Sequence, residues 1–439
     1  MGRASEYLQL LCEIEQLGGS TMEKHQPGLM EADVKRQAAW KLKILILSWE
    51  FPPNIVGGLS RHVMGLSAQL ADHGHEVHVL TAGNNNLPPF EIMNGITVHR
   101  VRPINENDDR FLSWVAGLNL AMAFKAEQLG EEIGFDLIHA HDWLVGAAAI
   151  SLKEWLRIPL LTTIHATEHG RNNGIYTEMQ QFIHQKEQQL IIESDQIIVC
   201  SEYMKEEVCE VFALQDERLT VIPNGVEPLK ANLKVADIFP ELKDKKYIFS
   251  IGRIVEEKGF ETIIEAAATA KDKQQDIVFV IAGKGPMLKE YQNRVLKRGL
   301  ECYVSFIGYV TDDQRNALIQ DCELVVIPSL YEPFGIVVLE SMALGKPTVV
   351  SNTGGMKGII KHLQNGMLMV PGSPQSLLEQ IEYLFNQPEK AKEIGSRGKQ
   401  IVQSLYGWKR IAAETSRIME DTLLNQRVNE KEQKAAPNK

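Results

Sequence analysis

The sequence predicts an α/β protein made of two domains, each built on a doubly wound parallel sheet. Apolar runs typical of fully buried strands alternate with helical segments along the chain. The alternation stops in a polar stretch at 227–245 and then starts again. With 439 residues, 44% of them hydrophobic, the chain is long enough for two such domains and their cores.

The elements of the first half follow from apolar runs that end at glycine, proline or polar clusters. The expected strands are 42–47, 76–81, 96–101, 135–141, 160–165, 196–201 and 219–226. The expected helices are one from a glycine loop to Gly74, then 118–133, 144–156, 176–193 and one after residue 201. The opening strand, glycine loop, helix and strand form a βαβ unit, whose ligand site lies beyond the carboxyl ends of its strands.

The second half repeats this plan. The expected strands are 247–252, 277–283, 304–308, 324–328 and 348–351. The expected helices are 259–270, 287–298, 311–321, 336–344 and a group at the end of the chain, the last of them 411–424. Residues 1–40 are predicted to be an N-terminal extension with an amphipathic helix at 7–17, and 426–439 a charged, disordered tail.

The composition excludes several classes of function. The net charge is −11 and no long basic run is present, which argues against a nucleic-acid partner. No apolar run approaches the ~18 residues of a transmembrane helix, and no secretory signal is visible. The five cysteines are scattered without a C-x-x-C pair, so reduced thiols in a cytoplasmic protein are expected rather than disulfides or a zinc site.

Glycines and polar residues follow the strands of the first half. Gly57 and Gly58 come after the first strand, where the backbone either approaches a ligand closely or needs a positive φ. The G-x-G-x-x-G pattern of a dinucleotide site is absent there. His165 ends a later strand and is either a cleft residue or a structural histidine.

His139, His141 and Asp142 close the neighbouring strand. Three such groups could hold a metal ion, but no H-E-x-x-H or other close ligand spacing supports one. We therefore expect hydrogen bonds to a polyhydroxy ligand and predict no metal site.

Cations and further glycines follow the strands of the second half. Arg253 and Lys258 come after its first strand, where they either neutralise phosphate or belong to a solvated face with the two glutamates between them. Gly283, Gly285 and the pair 354–355 each give a weak signal for a phosphate or ribose loop.

Two carboxylates bracket the start of the predicted 336–344 helix. Glu332 lies in the turn before it, where backbone N–H groups favour an anion. Glu340 lies eight residues later, about 12 Å along the helix. Both could meet one extended ligand, such as a sugar joined to a nucleoside through two phosphates. The alternative is a charged loop residue and a solvated helix residue.

Together these motifs resemble the retaining GT-B glycosyltransferases over about 42–425. The resemblance rests on Gly57-Gly58, Arg253 with Lys258, Gly283-x-Gly285-Pro286 and Glu332-Pro-Phe-Gly-x-x-x-x-Glu340. The glycogen and starch synthase-like branch is the most similar, through Trp49-Glu50-Phe51-Pro52-Pro53 and His139-Ala140-His141-Asp142-Trp143. Two positions depart from the pattern: Ile55-Val56 stand where that branch has a lysine, and Met356-Lys357-Gly358 where many relatives have Pro-Glu.

The resemblance implies a GT-B architecture, in which two Rossmann-like domains face a cleft. The first would span 41–228 and be completed by a C-terminal helix, 408–425, that crosses back onto it near Trp408. The second would span 229–407 and bind the nucleotide sugar.

The resemblance also implies the site residues. Arg253 and Lys258 would bind the donor diphosphate, and Glu332 and His165 the transferred sugar. Glu340 would bind the ribose. Further substrate-binding positions would be Gly57, Gly58, Asp142, Gly283, Gly285, Phe334, Gly335, Ile336 and Val337.

The implied reaction moves a hexose, with glucose expected, from UDP- or ADP-glucose to an α-glucan or related saccharide. Configuration would be retained, and no metal or other cofactor is expected because the two cations replace it and no D-x-D triplet is present. The two glutamates are too far apart for an acid and nucleophile pair at ~5 Å, so front-side substitution is expected. The alternatives are a same-fold transferase with a lipid or cell-envelope acceptor, a nucleotide-sugar epimerase and a non-catalytic carbohydrate-binding subunit.

Overall fold

The chain contains two α/β domains with separate sheets. A computed structural model describes residues 40–106, 108 and 110–435. The strands of the first sheet are β1 (Lys43–Ser48), β2 (Glu76–Ala82), β3 (Phe90–Met93), β4 (Ile96–Val101), β5 (Leu137–His141), β6 (Leu160–Ile164), β7 (Gln196–Val199) and β8 (Leu219–Val221). The helices among them are α1 (Gly58–Asp72), α2 (Phe111–Ile133), α3 (Gly146–Leu156), α4 (Glu168–Asn172), α5 (Glu178–Glu193) and α6 (Glu202–Phe212).

The second sheet follows a short helix, α7 (Val235–Ile238). Its strands are β9 (Ile248–Ile251), β10 (Phe279–Ala282), β11 (Val304–Gly308), β12 (Leu324–Ile327), β13 (Thr348–Ser351) and β14 (Met367–Met369). The remaining helices are α8 (Phe260–Asp272), α9 (Leu288–Lys297), α10 (Asp312–Asp321), α11 (Ile336–Ala343), α12 (Met356–Ile359), α13 (Pro374–Asn386), α14 (Pro388–Leu405) and α15 (Trp408–Ala435).

Both sheets are doubly wound, as the alternation of elements predicts. The strand order is β3-β4-β2-β1-β5-β6-β7-β8 in the first sheet and β11-β10-β9-β12-β13-β14 in the second. In the first, Ile44 of β1 pairs in parallel with Val77 on one side and Leu137 on the other. The direction of winding therefore reverses between β1 and β5, and in the second sheet between β9 and β12. Ligands of such sheets bind in the crevice beyond these switch points.

The central strands are buried on both faces because helices cover the parallel sheets on both sides. Residues 44–47 of β1 have no exposed surface, and Phe249 of β9 and Val326 of β12 are equally buried. Burial of this kind leaves only the strand ends and the loops after them free to meet a ligand.

The last helix of the chain crosses back to the first domain and packs against α1. The indole of Trp408 sits between Gly65 of α1 and Gly225, and a side chain at either glycine would collide with it. The Val226 N–H donates a hydrogen bond of 2.8 Å to the Tyr406 carbonyl at the crossing.

Some local predictions differ from the structure. The prediction of disorder after residue 425 was wrong for 426–435. This segment continues α15 as a helix, because it is rich in Glu, Lys and Gln, which favour helices. Two strands were not predicted from the sequence. One is β14, and the other is β3, which pairs antiparallel with β4 across a turn where both Asn94 and Gly95 have positive φ. The predicted helix at 7–17 lies outside the described residues. Among the described helices, none is long and apolar enough to cross a membrane.

Candidate active site

An ion pair joins the two loops that follow the switch-point strands of the second sheet. Lys258 lies after β9 and Glu332 after β12, and the Lys258 Nζ donates a hydrogen bond of 2.7 Å to Glu332 Oε2. The Ser329 hydroxyl donates to the same oxygen at 3.1 Å. Both charged side chains keep about a fifth of their surface exposed, 21% and 16%. The pair is therefore fixed in place but open to a ligand.

Backbone contacts hold the Glu332 loop. The N–H groups of Leu330 and Tyr331 donate to the Glu257 carbonyl, and the Gly355 N–H donates to the Glu332 carbonyl at 2.9 Å. A side chain at Gly354 or Gly355 would collide with the backbone of the Glu332 loop, so only glycine allows this approach. The glycine pair 354–355 thus supports Glu332 from behind.

The 283–285 loop supports Arg253 in the same way. Gly283 has φ +146°, and a side chain at Gly283 or Gly285 would collide with the backbone around Arg253. The Ile254 N–H donates to the Lys284 carbonyl at 2.9 Å and ties the two loops together. The Arg253 guanidinium remains half-exposed and pairs with Glu257 at 3.1 Å.

The start of α11 lies between the two domains. Gly335 precedes the helix with φ +108°, and Ile336 is its first residue. A Cβ at Gly58 would lie 2.8 Å from Ile336 Cδ1, so this glycine lets the first domain reach the helix start. Phe334 is buried and packs edge-on against Tyr406. The Phe334 ring is therefore engaged in the core, unlike the half-buried side chains of Ile336 and its neighbour Val337.

Glu340 is buried in a cluster of charges that the sequence did not predict. The Arg315 Nη1 lies 2.9 Å from Glu340 Oε1, and both side chains are 4% exposed. Arg61 of α1 lies 3.8 Å from the same oxygen and pairs with Asp312 at 2.5 Å. Glu340 Oε2 is buried and has no hydrogen-bond partner among the described residues. Glu340 is thus not a solvated helix residue, and one of its oxygens is left to accept from a ligand.

A buried carboxylate shapes the glycine loop of the first domain. Glu50 Oε2 accepts hydrogen bonds from the N–H groups of Val56 at 2.6 Å and Gly57 at 3.0 Å. Burial raises the pKa of Glu50, and these N–H groups oppose the rise. Glu50 belongs to a motif recognised in the sequence, but its role in orienting the glycine loop was not predicted.

Asp142 and His165 are joined at the ends of β5 and β6. The backbone N–H of His165 donates a hydrogen bond of 2.7 Å to Asp142 Oδ1. Burial raises the pKa of Asp142 to about 6, against the opposing effect of Arg171. Burial, followed by the charge of Arg171, lowers the pKa of His165 to about 3. The His165 imidazole is therefore neutral at physiological pH, so one of its ring nitrogens donates a hydrogen bond and the other accepts one.

Three histidines cluster here, and they differ from the group His139, His141 and Asp142 that was considered from the sequence and set aside as a metal site. His139 turns into the core, where its Nε2 lies 2.8 Å from the Thr163 hydroxyl. His141 Nδ1 lies 3.1 Å from His165 Nε2, and His62 of α1 completes the group. The sequence gave only a weak signal for His62, a histidine on the apolar face of a helix.

The Glu332 loop also contacts the first domain directly. The Ser201 hydroxyl donates to the Pro333 carbonyl at 2.7 Å, and the Tyr331 hydroxyl donates to Glu207 at 2.9 Å. These contacts bring the strand ends of the two sheets to one site.

Comparison with known families agrees with this geometry. Residues 56–229 match the glycosyltransferase family 4 model, and residues 235–401 match the model of the glycosyl transferases group 1. Over 391 residues, the chain is 36% identical to the uncharacterized glycosyltransferase MJ1607 of Methanocaldococcus jannaschii, covering 86% of this chain and 97% of that one. It is 31% identical over 395 residues to glycogen synthase of Mycobacterium tuberculosis, covering 86% and 94%.

Solved structures of glycosyltransferases share the fold. Sucrose-phosphate synthase from Thermosynechococcus elongatus superposes with a TM-score of 0.77 at 23% identity, covering 88% of this chain and 100% of that one. The catalytic domain of starch synthase IV from Arabidopsis thaliana, bound to ADP and acarbose, gives a TM-score of 0.71 at 17% identity, covering 88% and 100%. The chain is a glycosyltransferase with the GT-B architecture and belongs to the glycosyl transferases group 1 family.

Proposed function

We propose that this glycosyltransferase moves glucose from UDP- or ADP-glucose to an α-glucan or related saccharide, with retention of configuration and without a metal ion. The observation that carries the proposal is the Lys258–Glu332 pair at the start of α11. The half-exposed guanidinium of Arg253 lies on the same loop as Lys258. This arrangement suits a ligand with a polyhydroxy end and a diphosphate.

The charges have distinct roles in this proposal. When the bond to the donor phosphate breaks, negative charge develops on the departing diphosphate, and Arg253 and Lys258 stabilise it. The N–H groups of Gly335 and Ile336 at the start of α11 add a favourable dipole. Glu332 accepts hydrogen bonds from the sugar, and Glu340 Oε2 accepts from the ribose.

The proposed chemistry is a front-side substitution. The bond between the anomeric carbon and the phosphate oxygen breaks while the acceptor oxygen bonds to the same face of that carbon. The acceptor proton passes to the departing phosphate oxygen, so atoms and charges balance. Glu332 is paired with Lys258 and Glu340 with Arg315, and this separate pairing supports a mechanism without a carboxylate nucleophile.

Two names among the relatives support the glucan acceptor. One relative is a glycogen synthase, and one structural neighbour is a starch synthase bound to ADP and acarbose. The test is a nucleoside-diphosphate release assay that crosses UDP-, ADP- and GDP-glucose with glycogen, maltooligosaccharides and lipid acceptors. We expect release with a glucan and either UDP- or ADP-glucose, and an α-linked product by NMR. Absence of release with every glucan contradicts the proposal.

A lipid or cell-envelope acceptor is the second candidate, favoured by an apolar groove in the first domain. The groove has a volume of about 370 Å³ and lies between α2, α3 and α5. Leu120 and Phe182 on its walls are 50% and 39% exposed, and Lys186 also lines it. Flotation with anionic vesicles tests this candidate, because a membrane-acting enzyme should float and a glucan synthase should not.

The cytoplasmic location expected from the sequence stays a prediction.

A further inference from the structure

A group of ligating side chains lies at the carboxyl ends of β5 and β6. His62, His141 and His165 each offer a ring nitrogen, and these nitrogens all lie within 4.8 Å of one another. His141 Nδ1 and His165 Nε2 are 3.1 Å apart. Two imidazole nitrogens at about 2.1 Å from one tetrahedral metal ion are about 3.4 Å apart. The two nitrogens share a hydrogen bond at this distance, and an ion bound to both would replace that hydrogen bond with little movement of the rings.

His62 carries the clearest sign of unused ligating capacity. It is 3% exposed, and neither ring nitrogen has a hydrogen-bond partner among the described residues. The Asn224 side chain lies beside the ring and interacts with it, but its Oδ1, like both ring nitrogens, has no well-formed hydrogen bond among the described residues. A buried imidazole without a hydrogen-bond partner is destabilising, and an ion bound to one of its nitrogens would recover part of that cost.

The surroundings allow an ion to reach the cluster. His165 is only half-buried, which leaves an approach from the cleft. Asp142 directly follows His141 in the sequence, and its Oδ1 already accepts a hydrogen bond from the backbone N–H of His165. The available ligand set is therefore three imidazoles, with a fourth position open to water.

We propose that His62, His141 and His165 bind one divalent transition-metal ion of the Zn²⁺ class. Imidazole ligands favour Zn²⁺, Co²⁺, Ni²⁺ or Cu²⁺, whereas Mg²⁺ and Ca²⁺ require oxygen ligands. Because His165 is also the proposed contact of the donor sugar, the ion inhibits transfer. The inhibition rests on the proposed function, but the binding of the ion does not.

The experiment is a titration of the full chain with Co²⁺, followed by the visible absorption of tetrahedral Co²⁺. We expect saturation at about one ion per chain, as three imidazoles and a water complete a single coordination sphere. Added Zn²⁺ should abolish the absorption by displacement. The variant His62→Gln should lose the signal. His184→Gln should keep it, because this histidine of α5 stacks on Phe212 outside the cluster.

Absence of the signal in the wild-type chain, or an equal signal in His62→Gln, overturns the proposal. Circular dichroism checks the fold of each variant. If His62→Gln does not fold, X-ray absorption of the Zn²⁺-loaded wild type decides, since the proposal requires three imidazole ligands. Zn²⁺ that binds without lowering turnover overturns the inhibition alone. A chain that binds Zn²⁺ but has no transferase activity counts against the proposed function and not against the site.

Discussion

The polar side chains near the carboxyl ends of the two sheets differ in how they are compensated. Those of the first domain have pKa values shifted by burial, whereas those of the second domain form ion pairs. In the first domain, burial is the largest influence on the pKa of Asp142, raised to about 6, and of Glu187, raised to about 8. It also lowers the pKa of His165 to about 3. In the second domain, Glu332 is paired with Lys258 and Glu340 with Arg315.

The difference shows how a countercharge changes the effect of burial. In the first domain, Arg171 opposes the effect of burial on the pKa of Asp142 and Glu187 but does not reverse it. In the second domain, each glutamate is paired directly with a cation, which compensates for the cost of burying its charge. Neutral imidazoles suit the hydroxyls of a sugar, and fixed charges suit a diphosphate and its ribose. Four substitutions test this contrast, from the largest expected effect to the smallest.

The first substitution removes the charge of Glu332. In Glu332→Gln, Lys258 loses its anionic partner, and the sugar loses a charge-assisted acceptor. We expect turnover to fall by about 10²–10³-fold, the usual cost of removing one electrostatic contact from a transition state. Steady-state kinetics with the best donor and acceptor measures the loss, and thermal unfolding confirms that the variant folds.

The matched control is Glu256→Gln, since Glu256 is exposed in the turn that carries Lys258. It should keep turnover within about twofold, because an exposed charge is screened by solvent. Wild-type activity in Glu332→Gln would contradict the catalytic assignment of this residue. An equal loss in both variants would indicate a general dependence on the charge of this loop.

The second substitution breaks the buried pair at Glu340. Arg315→Met leaves the carboxylate buried without its closest cation, which typically costs about 3–5 kcal/mol of stability. The KM for the donor should rise as well, because Arg315 orients Glu340. Chemical unfolding and donor titration measure the two effects. Arg298→Met is the control, since Arg298 pairs with Glu265 at the surface and should contribute less than about 1 kcal/mol.

A double variant separates charge from position. Adding Glu340→Leu to Arg315→Met removes the unpaired charge, and stability should recover while the donor KM stays high. Recovery of donor binding would show that Glu340 does not contact the ribose.

The sequence predicted the fold because its signals are local. The apolar run that forms β12 and the glycine that starts α11 lie within ten residues of Glu332, so its place after a strand could be read directly. Arg61 and Asp312 are separated by 251 positions, and no local pattern reports their contact. The sequence does contain a signal for the burial of Arg315, because this residue shares the buried face of α10 with Leu318 and Ile319. A charge on such a face implies a buried partner, but only the structure identifies Glu340.

The third substitution tests the neutral carboxyl of the first domain. Glu187 is 2% exposed, and its Oε1 accepts from the Glu168 N–H at 2.8 Å. Burial raises its pKa from 4.5 to about 8; the N–H and Arg171 oppose the rise, whereas Asp142 and Glu168 add to it. The folded state thus keeps a proton that the unfolded chain releases above pH 4.5. Stability attributable to this group therefore falls as the pH rises from about 4.5 to about 8.

Glu187→Gln should remove this loss, since glutamine is neutral at every pH and its carbonyl can still accept from Glu168. One pKa unit corresponds to about 1.4 kcal/mol, so we expect the variant to gain a few kcal/mol relative to wild type between pH 5 and pH 8. Denaturant unfolding at both pH values measures the gain. Glu131→Gln, on the exposed surface of α2, should leave the pH dependence unchanged. A pH dependence in Glu187→Gln equal to that of wild type would show that Glu187 is charged when buried.

The fourth substitution tests the ion pair that links the two regions. Arg61 is 31% exposed and its partner Asp312 is 53% exposed, so Arg61→Gln should cost less than about 1 kcal/mol. Arg110→Gln is the control, because Arg110 pairs with Asp108 inside the first domain. Both variants should unfold close to the wild type, and the small cost of each should shrink further at high salt. A larger cost for Arg61→Gln alone would mean that its 3.8 Å approach to Glu340 also counts. The buried charge of Glu340 in the second domain would then be stabilised in part by Arg61 of the first domain.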